Sequence, residues 1–309
     1  RHPTRAMKEK TLPIRVRSAL EGSTVGTANG AALLRRHVIK PSRGLPSLDL
    51  GTVWEYRELL YFLVWRDVKV RYKQTALGVM WIVLQPVVSM AIFTVIFGIL
   101  LQVPSEEAPY PAFVLSALIP WNYFASSLNR SSTSLVYSSN LVTKVYFPRI
   151  LIPLSSVLSG LVDLVIAFAL LLGLMAVYRI TPTPAALLLP GFVLLASATP
   201  LGFGLWLSAL NVRYRDINYI IPFLLQIWMY ATPVVYGTSL VGDRFGLLMG
   251  LNPMTGVVEG FRQALLGNVM TGAQVNLPLL GVSASITLVV LVSGAYFFRY
   301  TERSFADII

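Results

Sequence analysis

Over 309 residues the chain is 55% hydrophobic and 13% charged, with a mean hydropathy of +0.66; a soluble domain carries about 25% charge, so this composition indicates a polytopic membrane protein. The net charge of +11 would suit nucleic acid, but 15 of the 25 Lys and Arg precede Leu77, and a basic flank beside membrane spans sets topology. With no cysteine in the chain, disulfides and thiolate metal sites are excluded.

Residues 1–45 are polar, basic and poor in large apolar side chains, the composition of a flexible cytosolic tail. They lack the apolar core of a secretory signal. Residues 46–76 carry the densest charge. Within them Tyr61, Val64, Trp65, Val68 and Tyr72 recur at helical spacing as one apolar stripe, with a narrower strip from Leu59, Leu63 and Val70. Glu55, Glu58, Arg66, Lys69 and Lys73 occupy a neighbouring face, and Asp67 and Arg71 stand at i,i+4 with the acid first. An amphipathic helix from Trp54 to Lys73, lying in the plane of the interface, is predicted. The other reading, a charged start to the first span, conflicts with the cost of about 2.5–3.5 kcal/mol for each Arg, Asp or Lys at a bilayer centre.

Residues 77–309 hold six segments of roughly the 20 apolar residues needed to cross the hydrocarbon. They are Leu77–Leu101, Tyr110–Asn129, Ile150–Tyr178, Leu187–Leu210, Ile217–Tyr236 and Leu277–Phe298. Pro111, Pro120 and Asn122 interrupt the second, and the length of the third implies tilt or a kink near Pro153 and Gly160. Lys144, Arg149, Arg213, Arg215, Arg299 and Arg303 join the N-terminal bases on one side, while "QVPSEEAPY" lies on the other. Six spans with both termini cytosolic satisfy that bias. Between the last two spans, "FGLLMGLNPMTGVVEGFRQALLG" is apolar but broken into pieces too short to cross. Two short helices dipping in from the external side fit it, as does an amphipathic pair lying on the surface.

Chemistry is sparse. The two histidines, His2 and His37, lie in the tail, and no GxxxxGK[ST] phosphate loop occurs. No metal site and no catalytic residue is indicated, so any energy comes from a partner. Asp163 is the one carboxylate clear of a span end; it is either functional or simply hydrogen-bonded to nearby Ser or backbone. "SSNLVTKVYFPR" and "NVRYRDINYI" are short, charged, aromatic connections on the cytosolic side, suited to receive a partner or to anchor at the interface.

Four blocks, in order, resemble the permease subunits of ABC-2-type polysaccharide exporters, the family that moves O-antigen, capsule or teichoic-acid chains. They are "YRELLYFLVWRDVKVRYKQTALGVMWIVLQP", "KVYFPRILIPLSSVLSGLVD", "NVRYRDINYIIPFLLQIWMYATPVVY" and "LNPMTGVVEGFRQALLG", and together they cover the chain from about Pro41. The resemblance implies an all-α, six-span homodimer in the bacterial plasma (inner) membrane, paired with two copies of an ABC ATPase that binds the ATP and Mg; this chain binds no cofactor. It implies a channel lined by candidates Trp81, Phe93, Phe97, Phe223, Trp228 and Tyr230. ATPase coupling falls to Ser138, Leu141, Lys144 and Phe147, and to Arg213, Tyr214, Arg215 and Asp216. External gate helices would include Asn252, Pro253, Glu259 and Arg262. The implied substrate is a lipid-linked polysaccharide on a polyprenyl pyrophosphate, whose phosphates Arg66, Lys69, Arg71 and Lys73 would attract. The alternative within the same family is an exporter of a smaller lipid or drug. A membrane-embedded glycan-modifying enzyme is disfavoured, since it needs clustered His or carboxylates beside the spans.

Overall fold

A computed structural model describes residues 50–73, 80–241, 248–270, 275–302 and 305. The expected tail with His2 and His37, the joint at 74–79 where the first span was to begin, and residues 242–247 of the broken segment lie outside the described residues, as does Arg303. Among the described residues every regular element is helical. They are α1 (Leu50–Glu55), α2 (Arg57–Lys73), α3 (Met80–Leu100), α4 (Tyr110–Tyr137), α5 (Ser139–Lys144), α6 (Leu151–Val177), α7 (Leu189–Arg213), α8 (Ile217–Ala231), α9 (Pro253–Leu266) and α10 (Leu277–Thr301). Four of them, α3, α6, α10 and the stretch Pro184–Arg213 that contains α7, are long and apolar enough to cross a membrane.

Local chemistry places most boundaries. Proline stands in the first turn of α4, α7, α9 and α10, where its missing N–H costs no helical bond. Asn252 caps α9 by accepting from Met254 N, and Asn276 caps α10 by accepting from Leu279 N. Helix α3 contains Pro86 and relaxes into π turns from Thr94 to Leu100, with Leu101 N bonded back to Ile96 O at 3.0 Å.

Helix α4 is the hub, packed against α6, α7 and α9, while α10 closes the far side of α7. Its residues from Ala112 to Trp121 are all buried. Its serines suit that setting because Ser116, Ser132 and Ser134 donate to carbonyls on their own helix. Small residues bring α7 and α10 together: a Cβ on Gly294 would lie 2.3 Å from the carbonyl oxygen of Gly202. A second core, at the end of the bundle carrying α5, gathers Leu63, Leu135, Phe147, Leu151, Ile152 and Phe298.

Several sequence expectations change. The predicted interfacial helix is broken at Tyr56 into α1 and α2. Its apolar stripe does not face one way: Tyr61 and Trp65 are exposed, Val64 and Val68 are half-buried, and Tyr72 faces the bundle together with Leu63, Asp67 and Arg71. Leu63 shares a core with Leu151 and Ile152, Asp67 meets Ser155, and Arg71 meets Ser159 and Asp163. These contacts advance together along both helices, so α2 climbs alongside the first turns of α6 instead of crossing it flat. Asp67 and Arg71 thus meet polar partners on α6, while Lys69 and Lys73 stay exposed on the outer side with Tyr61 and Trp65. Helix α4 runs two turns past Asn129, and α8 stops at Ala231, five residues short of the predicted end. Of the two short helices expected between the last spans, the described residues contain one complete helix, α9.

Candidate functional site

Along the seam between α2 and α6 a polar side chain appears on each turn. Ser155 Oγ donates to Asp67 Oδ2 at 3.3 Å, and Asp67 also holds Arg66 at 2.8 Å. One turn on, Arg71 Nη2 donates to Ser159 Oγ at 3.1 Å while Nη1 pairs with Asp163. The Tyr72 hydroxyl donates to the other oxygen of Asp163. Burial, reinforced by that carboxylate, pushes the Tyr72 hydroxyl up to about 12, so it remains a donor at any physiological pH. The Asp67–Arg71 pair predicted on one helix is therefore replaced by pairs that tie α2 to its neighbours.

Arg130, from α4, approaches the same carboxylate, with Nη1 3.6 Å from Asp163 Oδ2. Gly160 makes room for it: a Cβ there would lie 2.7 Å from Arg130 Nη2 and 2.6 Å from Ser127 Oγ. Among the described residues, Nε and Nη2 of Arg130 have no hydrogen-bond partner.

This cluster forms one wall of a cleft of about 900 Å³ that opens at the end of the bundle carrying α5. Arg66, Asp67 and Arg71 of α2 face it, with Arg130, Thr133 and Tyr137 of α4 behind, and Asn218, Tyr219 and Pro222 of α8 opposite. Asn211 stiffens the far wall by donating to Ser132 O at 3.0 Å and to Asn218 Oδ1 at 2.7 Å. The cleft thus separates the helix that leads into α3 from the start of α8.

At the opposite end, Arg262 of α9 is fully buried. Its guanidinium sits 3.7 Å over the Phe113 ring and donates to Glu259 at 3.2 Å, Pro233 O at 2.9 Å and Val234 O at 3.1 Å. Those carbonyls belong to the non-helical segment after α8, so one side chain fastens α9, α4 and that segment together. Asn252 adds a second tie, accepting from Trp228 Nε1 at 2.9 Å and donating to Thr232 Oγ1 at 2.8 Å.

The expected site residues separate by exposure. Lys144, Arg213, Tyr214, Arg215 and Asp216 lie on the surface beside the cleft, and Ser138 and Leu141 line its mouth. Phe147 is instead a core residue, 5% exposed, and supports that surface from beneath without presenting itself. Lys69 and Lys73 face outward, Arg66 is exposed at the rim of the cleft and held by Asp67, and Arg71 is committed to Asp163. Of the aromatic channel candidates, Trp81, Phe223 and Tyr230 are exposed. Phe93 and Phe97 are half-buried and pack edge to face at 5.9 Å. Trp228 is held between Phe124 and Phe203, each 5.0 Å away. Asn252, Pro253, Glu259 and Arg262 form the latch just described. Arg130 was not singled out from the sequence; its signal is a lone guanidinium in "SLNRSSTSL", where a span gives way to a serine-rich helix.

Comparison with known proteins places this geometry in context. A family model described as ABC-2 type transporter matches residues 58–266. The chain is 30% identical over 258 residues to the O-antigen export system permease protein RfbA of Myxococcus xanthus, covering 82% of this chain and 96% of that protein. The protein of the same name from Klebsiella pneumoniae is 26% identical, covering 82% and 95%. The polysialic acid transport protein KpsM of Escherichia coli is 24% identical, covering 77% and 92%.

Proposed function

Because the chain belongs to the ABC-2 type transporter family, we propose that it is the channel-forming subunit of an ATP-driven exporter that carries a lipid-linked polysaccharide out of the cytosol. The observation that carries this reading is the charged cleft between α2 and α8, opening beside the exposed connections at 143–146 and 213–216. The printed functions of the relatives, O-antigen export and polysialic acid transport, supply the substrate class.

In this reading the cleft end faces the cytosol, both termini lie there, and the membrane is the bacterial plasma (inner) membrane. Six helices cross. Four are long and apolar enough alone; α4 crosses with its serines turned toward its neighbours, and α8 crosses together with the segment to Tyr236. Helix α9 is the external gate, held by Arg262. The outward faces of α3 (Val88, Ile92, Ile99) and α8 (Phe223, Ile227, Tyr230) are exposed in the single chain. A second copy covers part of them, and the channel runs between the two. Two copies of a separate ATPase dock on the connections beside the cleft and bind ATP and Mg. Their closure pushes on α5 and on the 213–216 turn, α2 tilts against α6, and the path opens. This chain performs no covalent chemistry.

The test is purification from the native host together with genetic deletion. The expected result is co-purification of an ABC ATPase, with loss of surface polysaccharide and intracellular accumulation of lipid-linked polymer on deletion. Normal surface polysaccharide in the deletion strain, with loss of a small lipid or drug from the efflux spectrum, would shift the assignment to the smaller-substrate exporter.

A further inference from the structure

Building on the exporter reading, we propose that Arg130, flanked by Arg66 and Arg71, is the seat for the phosphate or diphosphate that joins the substrate's lipid to its glycan. The cleft and its floor hold three guanidiniums, from Arg66, Arg71 and Arg130, against two carboxylates, from Asp67 and Asp163. One positive charge is left over. Arg66 is matched by Asp67, and Arg71 by Asp163, whose other oxygen already accepts from Tyr72. The surplus therefore falls on Arg130.

Its hydrogen bonding agrees with its charge. Nε and Nη2 donate to nothing among the described residues, an arrangement that costs free energy until an acceptor arrives. The side chain is 29% exposed, and turning it toward the cleft breaks no hydrogen bond, only the loose contact to Asp163. A guanidinium fork with idle donors matches phosphate oxygens two at a time. Position along the helix agrees as well: Arg130 lies twenty residues along α4 from Tyr110, about 30 Å at the helical rise, which brings it to the end of the bundle where the cleft opens. The cleft opens at this level between α2 and α8, so a headgroup held there is already at the entrance of the proposed path.

The experiment uses the full-length chain with its ATPase in lipid nanodiscs and tritiated undecaprenyl diphosphate as probe. Inorganic pyrophosphate, undecaprenol and phosphatidylglycerol serve as competitors. Arg130→Gln is expected to weaken the probe by about tenfold or more and Arg130→Lys by about threefold, since the charge survives but the fork does not. Thr133→Glu, one turn along the cleft wall and outside the ion pairs, should weaken it comparably by repulsion; it carries the test where Arg130→Gln does not fold. Pyrophosphate should compete and undecaprenol should not. Equal probe affinity in wild type and in Thr133→Glu or a folded Arg130→Gln overturns the site while leaving the exporter reading intact. Phosphatidylglycerol competing as well as the probe overturns substrate recognition in favour of an ordinary membrane lipid. Purification without any ATPase overturns the exporter reading itself.

Discussion

Replacing Asp163 with Asn isolates the interaction that joins α2 to the bundle. The carboxylate accepts from Arg71 and from Tyr72 and lies 3.6 Å from Arg130. A hydrogen bond to a charged group contributes about 1.5–3 kcal/mol, and removing one partner from a fully buried ion pair costs about 3–5 kcal/mol. Here the cleft admits water, with the side chains of Arg71, Asp163 and Arg130 at 24%, 19% and 29% exposure. Asparagine also keeps one acceptor oxygen. These two effects reduce the expected loss for Asp163→Asn to about 2–3 kcal/mol. Arg71→Gln should cost less, about 1–2 kcal/mol, because Asp163 retains Tyr72 and Arg130. In the double variant one guanidinium no longer faces a missing partner, so the loss should fall short of the sum by about 1.5 kcal/mol. The assay is reversible unfolding of the purified protein in mixed micelles for all four members of the cycle. Strict additivity, within about 0.3 kcal/mol, would show that the two side chains do not act on each other and would remove the ion pair as the fastener of α2.

Phe147→Ala removes a side chain 5% exposed in the second core and should destabilise by about 3 kcal/mol, whereas Tyr146→Ala, 87% exposed, should leave unfolding unchanged and reduce ATPase capture in a pull-down. Gly294→Ala places a methyl 2.3 Å from the Gly202 carbonyl and should cost about 2–3 kcal/mol because backbone cannot step aside. Gly281→Ala, in open space on the same helix, should instead stabilise by up to about 1 kcal/mol in the same unfolding assay. Arg262→Met leaves Glu259 buried without its partner and should cost about 3–5 kcal/mol, while the Glu259→Gln, Arg262→Met double variant should recover part of that loss, read again from unfolding midpoints.

The sequence by itself determined the class of protein. Charge content, the placement of Lys and Arg and the lengths of the apolar runs made an all-helical membrane protein legible, because hydrocarbon leaves the backbone few alternatives. It also made the surface charges at 144 and 213–216 legible, since their exposure follows from polarity in short connections. The direction of α2 was not legible. Tyr61, Trp65 and Tyr72 make an apolar stripe on paper, yet Tyr61 and Trp65 turn outward while Tyr72 bonds Asp163, because which side chains face protein depends on what the partner helix offers. Here α6 offers Ser155, Ser159 and Asp163 in step with Asp67 and Arg71. Pairing over a separation of 92 residues leaves no local trace, so Asp163 could be read as ordinary and Arg130 passed unnoticed. Phe147 shows the same limit: an aromatic in a charged loop reads as surface until a second core closes over it. Composition settled that the chain belongs in a bilayer, and tertiary packing decided where inside it charge is tolerated, because a buried guanidinium is stable only where distant residues supply its acceptors.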